Sequence, residues 1–94
     1  MKTEKVPGTN TTHNVKIFTL STCGWCRKTK DLLNELKVQY EYIDMDKIDG
    51  LDQSTARAEL KKHNPRASFP TIVIDDGKIV IIGYKDDEIR GVFS

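Results

Sequence analysis

The only two thiols in this 94-residue chain stand three positions apart, in Cys23-Gly24-Trp25-Cys26. Side chains three apart share one face of a helix. A thiolate at Cys23 can therefore attack a disulfide, and Cys26 can then reach the mixed disulfide and expel the second thiol. The residues before the pair, Val15 to Leu20, are apolar-rich with β-branched and aromatic members, and those after it carry Thr29, Leu32, Leu33 and Leu36 at helical spacing. A cysteine at such a strand-to-helix junction lies beside unpaired backbone N–H groups and the positive end of the helix dipole. That setting lowers a thiol pKa from about 8.5 into the range of about 3.5 to 7.5. Cys23 is the expected nucleophile and Cys26 the resolving thiol. Gly24 lets backbone approach beside the nucleophile, and Trp25 offers a flat apolar surface at the rim; both suit the docking of a protein or peptide.

Other roles for the pair are weaker on chemical grounds. A Cys23–Cys26 bridge closes a very small loop, so its chain-entropy stabilisation is small. A zinc site needs two further ligands, and the two histidines, His13 and His63, fall in a leader and at a helix end. Inert buried thiols are not expected at an exposed helix start.

The elements that must position the pair follow from periodicity. Val15 to Leu20 reads as a buried strand, and Cys23 to about Lys37 as an amphipathic helix. Gln39 to Asp44 reads as a second strand with Tyr40 and Tyr42 on one face. A helix capped by Asp49 or Asp52 runs to about His63 and ends at Asn64-Pro65. Thr71 to Ile74 and Lys78 to Ile82 flank Asp75-Asp76-Gly77, a hairpin signal that makes them antiparallel neighbours. Gly83 breaks the last strand, and Asp86 to Phe93 forms a terminal helix with acids in its first turn. The reading is an α/β domain over residues 15–94, with a four-stranded mixed sheet flanked by three helices. Met1 to Asn14 has no apolar periodicity and reads as a flexible leader outside the core.

Composition narrows the function. Fifteen basic against 14 acidic residues leave a formal net charge of +1, which lacks the electrostatic footprint of nucleic-acid binding. No apolar run approaches the roughly 18 to 20 residues of a membrane span, and Met1 to Asn14 has no secretory h-region. A cytoplasmic monomer without metal or cofactor is expected. Arg27, Lys28 and Lys30 form a basic run that either steers acidic partners, depresses the Cys23 pKa, or is simply a solvated helix face.

A second informative element is Phe69-Pro70-Thr71, where a proline introduces a β-rich run at a position free of ladder duty. With these parts assembled, residues 15–94 resemble a glutaredoxin. The segments TLSTCGWCRKTKDLL and SFPTIVIDDGKIVIIGY are similar to that family's active-site helix and its cis-proline and glycine segments. The resemblance implies a thioredoxin-like fold. It also implies that Cys23 attacks, Cys26 resolves, Pro70 is cis beside them, and the Phe69 backbone pairs with substrate backbone. The implied groove further includes Thr22, Gly24, Trp25, Ser68, Gly83, Tyr84 and Asp86.

The sequence departs from glutathione-using members of the family. Gly24-Trp25 replace the usual proline and tyrosine, Leu20 stands where a lysine is frequent, and Gly83-Tyr84 replaces a glycine pair. A glutathione carboxylate then loses a cationic partner and meets a bulky ring, although Arg27, Lys30 or Lys85 can partly substitute. These departures resemble glutaredoxin-like redoxins that behave as thioredoxins. The implied role is a dithiol electron carrier that reduces protein disulfides, possible targets including ribonucleotide reductase. Its electrons come from a thioredoxin-reductase-type enzyme or a low-molecular-weight thiol. A glutathione-dependent activity that removes glutathione from proteins, an iron–sulfur carrier and a plain interaction module remain as alternatives.

Overall fold

The structure is a computed structural model and describes residues 3–93. At its centre lie β2 (Val15–Thr19) and β4 (Thr71–Ile74), short runs so apolar that Ile17, Phe18, Ile72 and Ile74 are all fully buried. Strands of this composition need cover on both faces. Helix α1 (Gly24–Glu35) leaves the end of β2 and returns the chain to β3 (Tyr40–Asp44), which pairs parallel to β2 with Phe18 opposite Ile43. β4 runs antiparallel to β2 on its other side, and β5 (Ile79–Ile82) pairs antiparallel with β4.

Because side chains alternate across a strand, the sheet sorts its apolar residues into two cores. Val15, Ile17, Ile72, Ile74 and Ile81 pack with Leu32 and Leu33 of α1 and with Ile89 and Phe93 of α3 (Asp86–Phe93). Phe18, Ile43 and Val73 pack on the other face with Ala56 and Leu60 of α2 (Gly50–His63). The sheet is thus covered by α1 and α3 on one side and α2 on the other. None of the described helices is long and apolar enough to cross a membrane.

The sheet has five strands, not the expected four. Glu4–Val6, within the segment read as a leader, forms β1 and pairs antiparallel to the outer side of β3, with Glu4 opposite Tyr42 and Val6 opposite Tyr40. The order is β1-β3-β2-β4-β5. Three residues, two of them charged and all on a sheet edge, carry no readable alternation. What holds this segment is tertiary. A Cβ on Gly8 would come within 2.5 Å of the Lys37 carbonyl oxygen, so only glycine allows the backbones to cross there. Next along the chain, Asn10 N–H donates to Lys37 O at 2.8 Å, and Gln39 N–H donates back to Asn10 O at 3.0 Å. His13 Nδ1 and Asp75 Oδ2 lie 2.7 Å apart, and Asn14 N–H donates to the other oxygen of Asp75 at 2.9 Å. Those two contacts hold the Asp75 carboxyl below the usual carboxylate range, the Asn14 amide contributing most. Met1 and Lys2 of the same segment lie outside the described residues, as does Ser94.

The hairpin forms where Asp75-Asp76-Gly77 was expected to turn the chain, with Ile74 opposite Ile79. All three turn residues have positive φ, and a Cβ at Gly77 would meet the His63 ring at 2.7 Å. Lys78, expected to open the last strand, has helical dihedrals and belongs to the turn. Asn64 closes α2 in an extended conformation ahead of Pro65, as a residue before proline should.

Candidate active site

Cys23 is the N-cap of α1. Its backbone is extended, with φ −84° and ψ 117°, and its sulfur accepts a hydrogen bond from Cys26 N–H at 3.2 Å. The orphan amide at the helix start therefore points at the Cys23 sulfur. No acidic side chain occupies the first turn of α1. The two thiols differ sharply in access: Cys23 is partly exposed, whereas Cys26 is 1% exposed. Burial pushes the Cys26 thiol up to about 12, the hydrogen bond with Cys23 adds to the rise, and the Leu20 amide and the Lys30 charge oppose it.

The loop feeding Cys23 is fastened from across the molecule. Ser21 N–H donates to Asp46 Oδ1 at 2.9 Å, and the Ser21 hydroxyl donates to Asp46 Oδ2. The two bonds hold the Asp46 carboxyl below its ordinary pKa, the hydroxyl more than the amide. Cys23 N–H then donates to Leu20 O at 3.1 Å. Neither half of the Ser21–Asp46 pair, 25 residues apart, stands out by composition.

The opposite wall comes from the chain ahead of β4. The Phe69–Pro70 peptide is cis. Asn64, only 1% exposed, anchors this turn: its side-chain amide donates to Ser68 Oγ at 3.0 Å and to Thr71 Oγ1 at 2.9 Å. The Thr71 hydroxyl donates to Ser68 O at 2.7 Å. In sequence Asn64 reads only as a helix terminator, because its partners lie beyond a loop. Gly83 N–H donates to Pro70 O at 2.8 Å, which brings the end of β5 alongside the proline.

Trp25 of α1 and the Phe69–Pro70 turn share an open cavity of about 310 Å³, lined by Trp25, Phe69, Pro70, Ile82, Gly83, Tyr84 and Lys85. Five residues expected at the site, Trp25, Phe69, Pro70, Gly83 and Tyr84, meet here. Gly24 has open space where a Cβ would stand, so this side of the motif is unobstructed. The other six do not line the cavity: Cys23, Gly24 and Cys26 stand at the start of α1, Thr22 is exposed on the approach loop, Ser68 bonds to Asn64, and Asp86 bonds to Tyr84. Trp25, 58% exposed, stacks on Tyr84 with ring centroids 5.7 Å apart and planes inclined by 25°. Lys28 places its ammonium 4.9 Å above the Trp25 ring.

Of the basic run, Arg27 and Lys28 are exposed, but Lys30 is not part of a freely solvated face. Its ammonium lies 3.3 Å from Asp44 Oδ1 and 3.8 Å from the centroid of Tyr42. Neither histidine stands with the cysteines, since His13 pairs with Asp75 and His63 lies against Gly77. Among the described residues no three His, Cys, Asp or Glu side chains gather in a way that could hold a metal ion.

The geometry has close relatives of known family. A family model described as Glutaredoxin matches residues 15–80. Glutaredoxin 1 of Rickettsia bellii is 38% identical over 65 residues, which cover 68% of this chain and 64% of that protein. The crystal structure of the glutaredoxin from Methanosarcina mazei Go1 superposes with a TM-score of 0.85 at 37% identity, covering 100% of this chain and 89% of that one. Methanoredoxin of Methanosarcina acetivorans superposes with a TM-score of 0.81, also at 37% identity, over 86% of this chain and 84% of that one. A match across two thirds of the sequence and a superposition along its whole length leave one reading: this chain belongs to the glutaredoxin family of thioredoxin-like redox proteins.

Proposed function

We propose that this protein is a dithiol electron carrier that reduces protein disulfides. The observation that carries the reading is the asymmetry of the pair: an accessible Cys23 sulfur at the helix start, backed by a buried, protonated Cys26 thiol one turn along. The Cys23 thiolate attacks one sulfur of the substrate disulfide, forming the mixed disulfide and releasing the first substrate thiol. Cys26 then gives up its proton and attacks the Cys23 sulfur. The Cys23–Cys26 bond forms, the second substrate thiol leaves and takes a proton, and two electrons have passed to the substrate.

The cis Phe69–Pro70 turn and the cavity beside Trp25 supply a surface on which an extended chain can lie during these steps. Targets of this kind include ribonucleotide reductase. The oxidised pair is returned to the dithiol by a thioredoxin-reductase-type enzyme or a low-molecular-weight thiol, in the cytoplasm.

Insulin turbidity in the presence of dithiothreitol tests the activity. Wild type accelerates precipitation, Cys23→Ser abolishes the acceleration, and Cys26→Ser accumulates mixed disulfides visible by mass spectrometry. Undiminished turnover in Cys23→Ser sinks the proposal. A parallel assay with glutathione plus glutathione reductase, against NADPH plus thioredoxin reductase, identifies the class of electron donor.

A further inference from the structure

We infer that Tyr84, braced by Asp86, Arg90 and Glu35, forms with Trp25 an aromatic wall that selects disulfides flanked by apolar peptide side chains over small, multiply charged ones. This inference rests on the disulfide-reductase reading and names the substrate class of that same site.

Tyr84 does not stand freely at the cavity edge. Its hydroxyl donates to Asp86 Oδ2 at 3.0 Å, Arg90 Nε donates to Asp86 Oδ1 at 2.7 Å, and Arg90 Nη2 lies 2.9 Å from Glu35 Oε2. Asp86 and Arg90 belong to α3 and Glu35 ends α1, so the chain of bonds ties the ring to both helices on that face of the sheet. At the other end of α1 sits Trp25, and the two rings stack. Aromatic side chains have few rotamers to lose, and a ring already held in place loses less on contact with a ligand.

The brace also determines what the wall offers. Both Asp86 oxygens are engaged, so its carboxylate is already matched and presents little to a ligand ammonium group. The Arg90 guanidinium holds the Asp86 carboxyl below the usual range, and the Tyr84 hydroxyl adds to that. What remains facing the cavity is ring surface, the Phe69–Pro70 turn, Gly83, the 43% exposed Ile82 and a single cation, Lys85. Lys85 is the one charged residue among those lining the cavity, so a small ligand with several charges leaves most of them without a partner there, whereas an apolar side chain gains by burial. An exposed Trp25 beside a half-buried Tyr84 presents the residue types that dominate binding at protein interfaces.

The test compares single-turnover oxidation of the pre-reduced protein by three disulfides: a peptide dimer with Phe beside cysteine, the same dimer with Gly there, and glutathione disulfide. Each reaction conserves electrons, one substrate disulfide becoming two thiols as Cys23 and Cys26 become one disulfide. Maleimide quenching and mass spectrometry read the remaining dithiol. Wild type should favour the Phe dimer over the Gly dimer by about fivefold, the size expected for one aromatic contact, with glutathione disulfide slowest. Tyr84→Ala and the exposed-site variant Trp25→Ala should bring the Phe/Gly ratio to within about twofold of one. Arg90→Met should lower it in the same direction, and Arg90→Lys, which keeps the cation, should restore it.

A wild-type ratio near one, or a ratio unchanged in both Tyr84→Ala and Trp25→Ala, overturns the inference while leaving the reductase reading intact. A ratio unchanged in Arg90→Met overturns the brace. Failure of wild type to react with any of the three, or equal reaction by Cys23→Ser, strikes the reductase reading itself.

Discussion

The backbone amide of Cys26 donates to the Cys23 sulfur at 3.2 Å, so the main chain of one cysteine caps the thiol of the other. One helical turn thereby joins the two sulfurs and gives them opposite environments, Cys23 at the solvent boundary and Cys26 inside.

Alkylation should follow that difference. In reduced protein at neutral pH, iodoacetamide is expected to modify Cys23 at least about tenfold faster than Cys26, because the thiolate is the reactive form and Cys26 is both buried and protonated. Peptide mapping by mass spectrometry checks the order, and equal labelling would show that Cys26 is open to solvent.

The same burial makes the reduced protein sensitive to alkali. Cys26 in the unfolded chain titrates near about 8.5. The folded value is pushed up to about 12, so the folded state keeps its proton longer. Stability from this group is fully present below the unfolded pKa and is lost as pH rises through the folded one. Melting temperatures of reduced wild type and Cys26→Ala, taken from about pH 8 to about pH 10.5, should fall more steeply for wild type. Tyr40, also raised to about 12 by burial, is present in both proteins and cancels.

Asn64→Ala removes the side chain that donates to both Ser68 and Thr71, leaving the buried Thr71 hydroxyl short of a partner. A loss of about 1–3 kcal/mol is expected in urea denaturation of reduced protein. The Phe69–Pro70 turn should loosen with it, slowing the reaction with peptide disulfides. A variant as stable as wild type would mean that water replaces the amide.

Gly8→Ala tests the fifth strand. A methyl group there would lie 2.5 Å from the Lys37 oxygen, so the two backbones must separate. Hydrogen exchange should quicken at the Asn10 and Gln39 amides, which bond across this crossing, while the β4 amides keep their protection. Unchanged exchange at Asn10 would show that β1 docks without the close approach.

How much of this was legible beforehand depends on the reach of the signal involved. The helix after Cys23, the hairpin at Asp75-Asp76-Gly77 and the end of α2 before Pro65 are each written within a few neighbouring residues, through periodicity, turn chemistry and the restriction that proline imposes on its predecessor. The position of the cysteine pair belongs with them, because a strand end, a helix start and a spacing of three are all local.

Sequence by itself therefore determined the order of elements around the cysteines, the placement of the pair at a strand end and helix start, and the family. Tertiary structure alone decided that Glu4–Val6 becomes an edge strand, that Asp46 fastens Ser21, that Asn64 supports the proline turn, and that Glu35, Arg90 and Asp86 hold Tyr84 against Trp25. The physical reason is the same in each case. These are pairings between polar or charged residues with no local period, and such groups keep one geometry only after the packed apolar cores have brought distant segments within hydrogen-bonding reach.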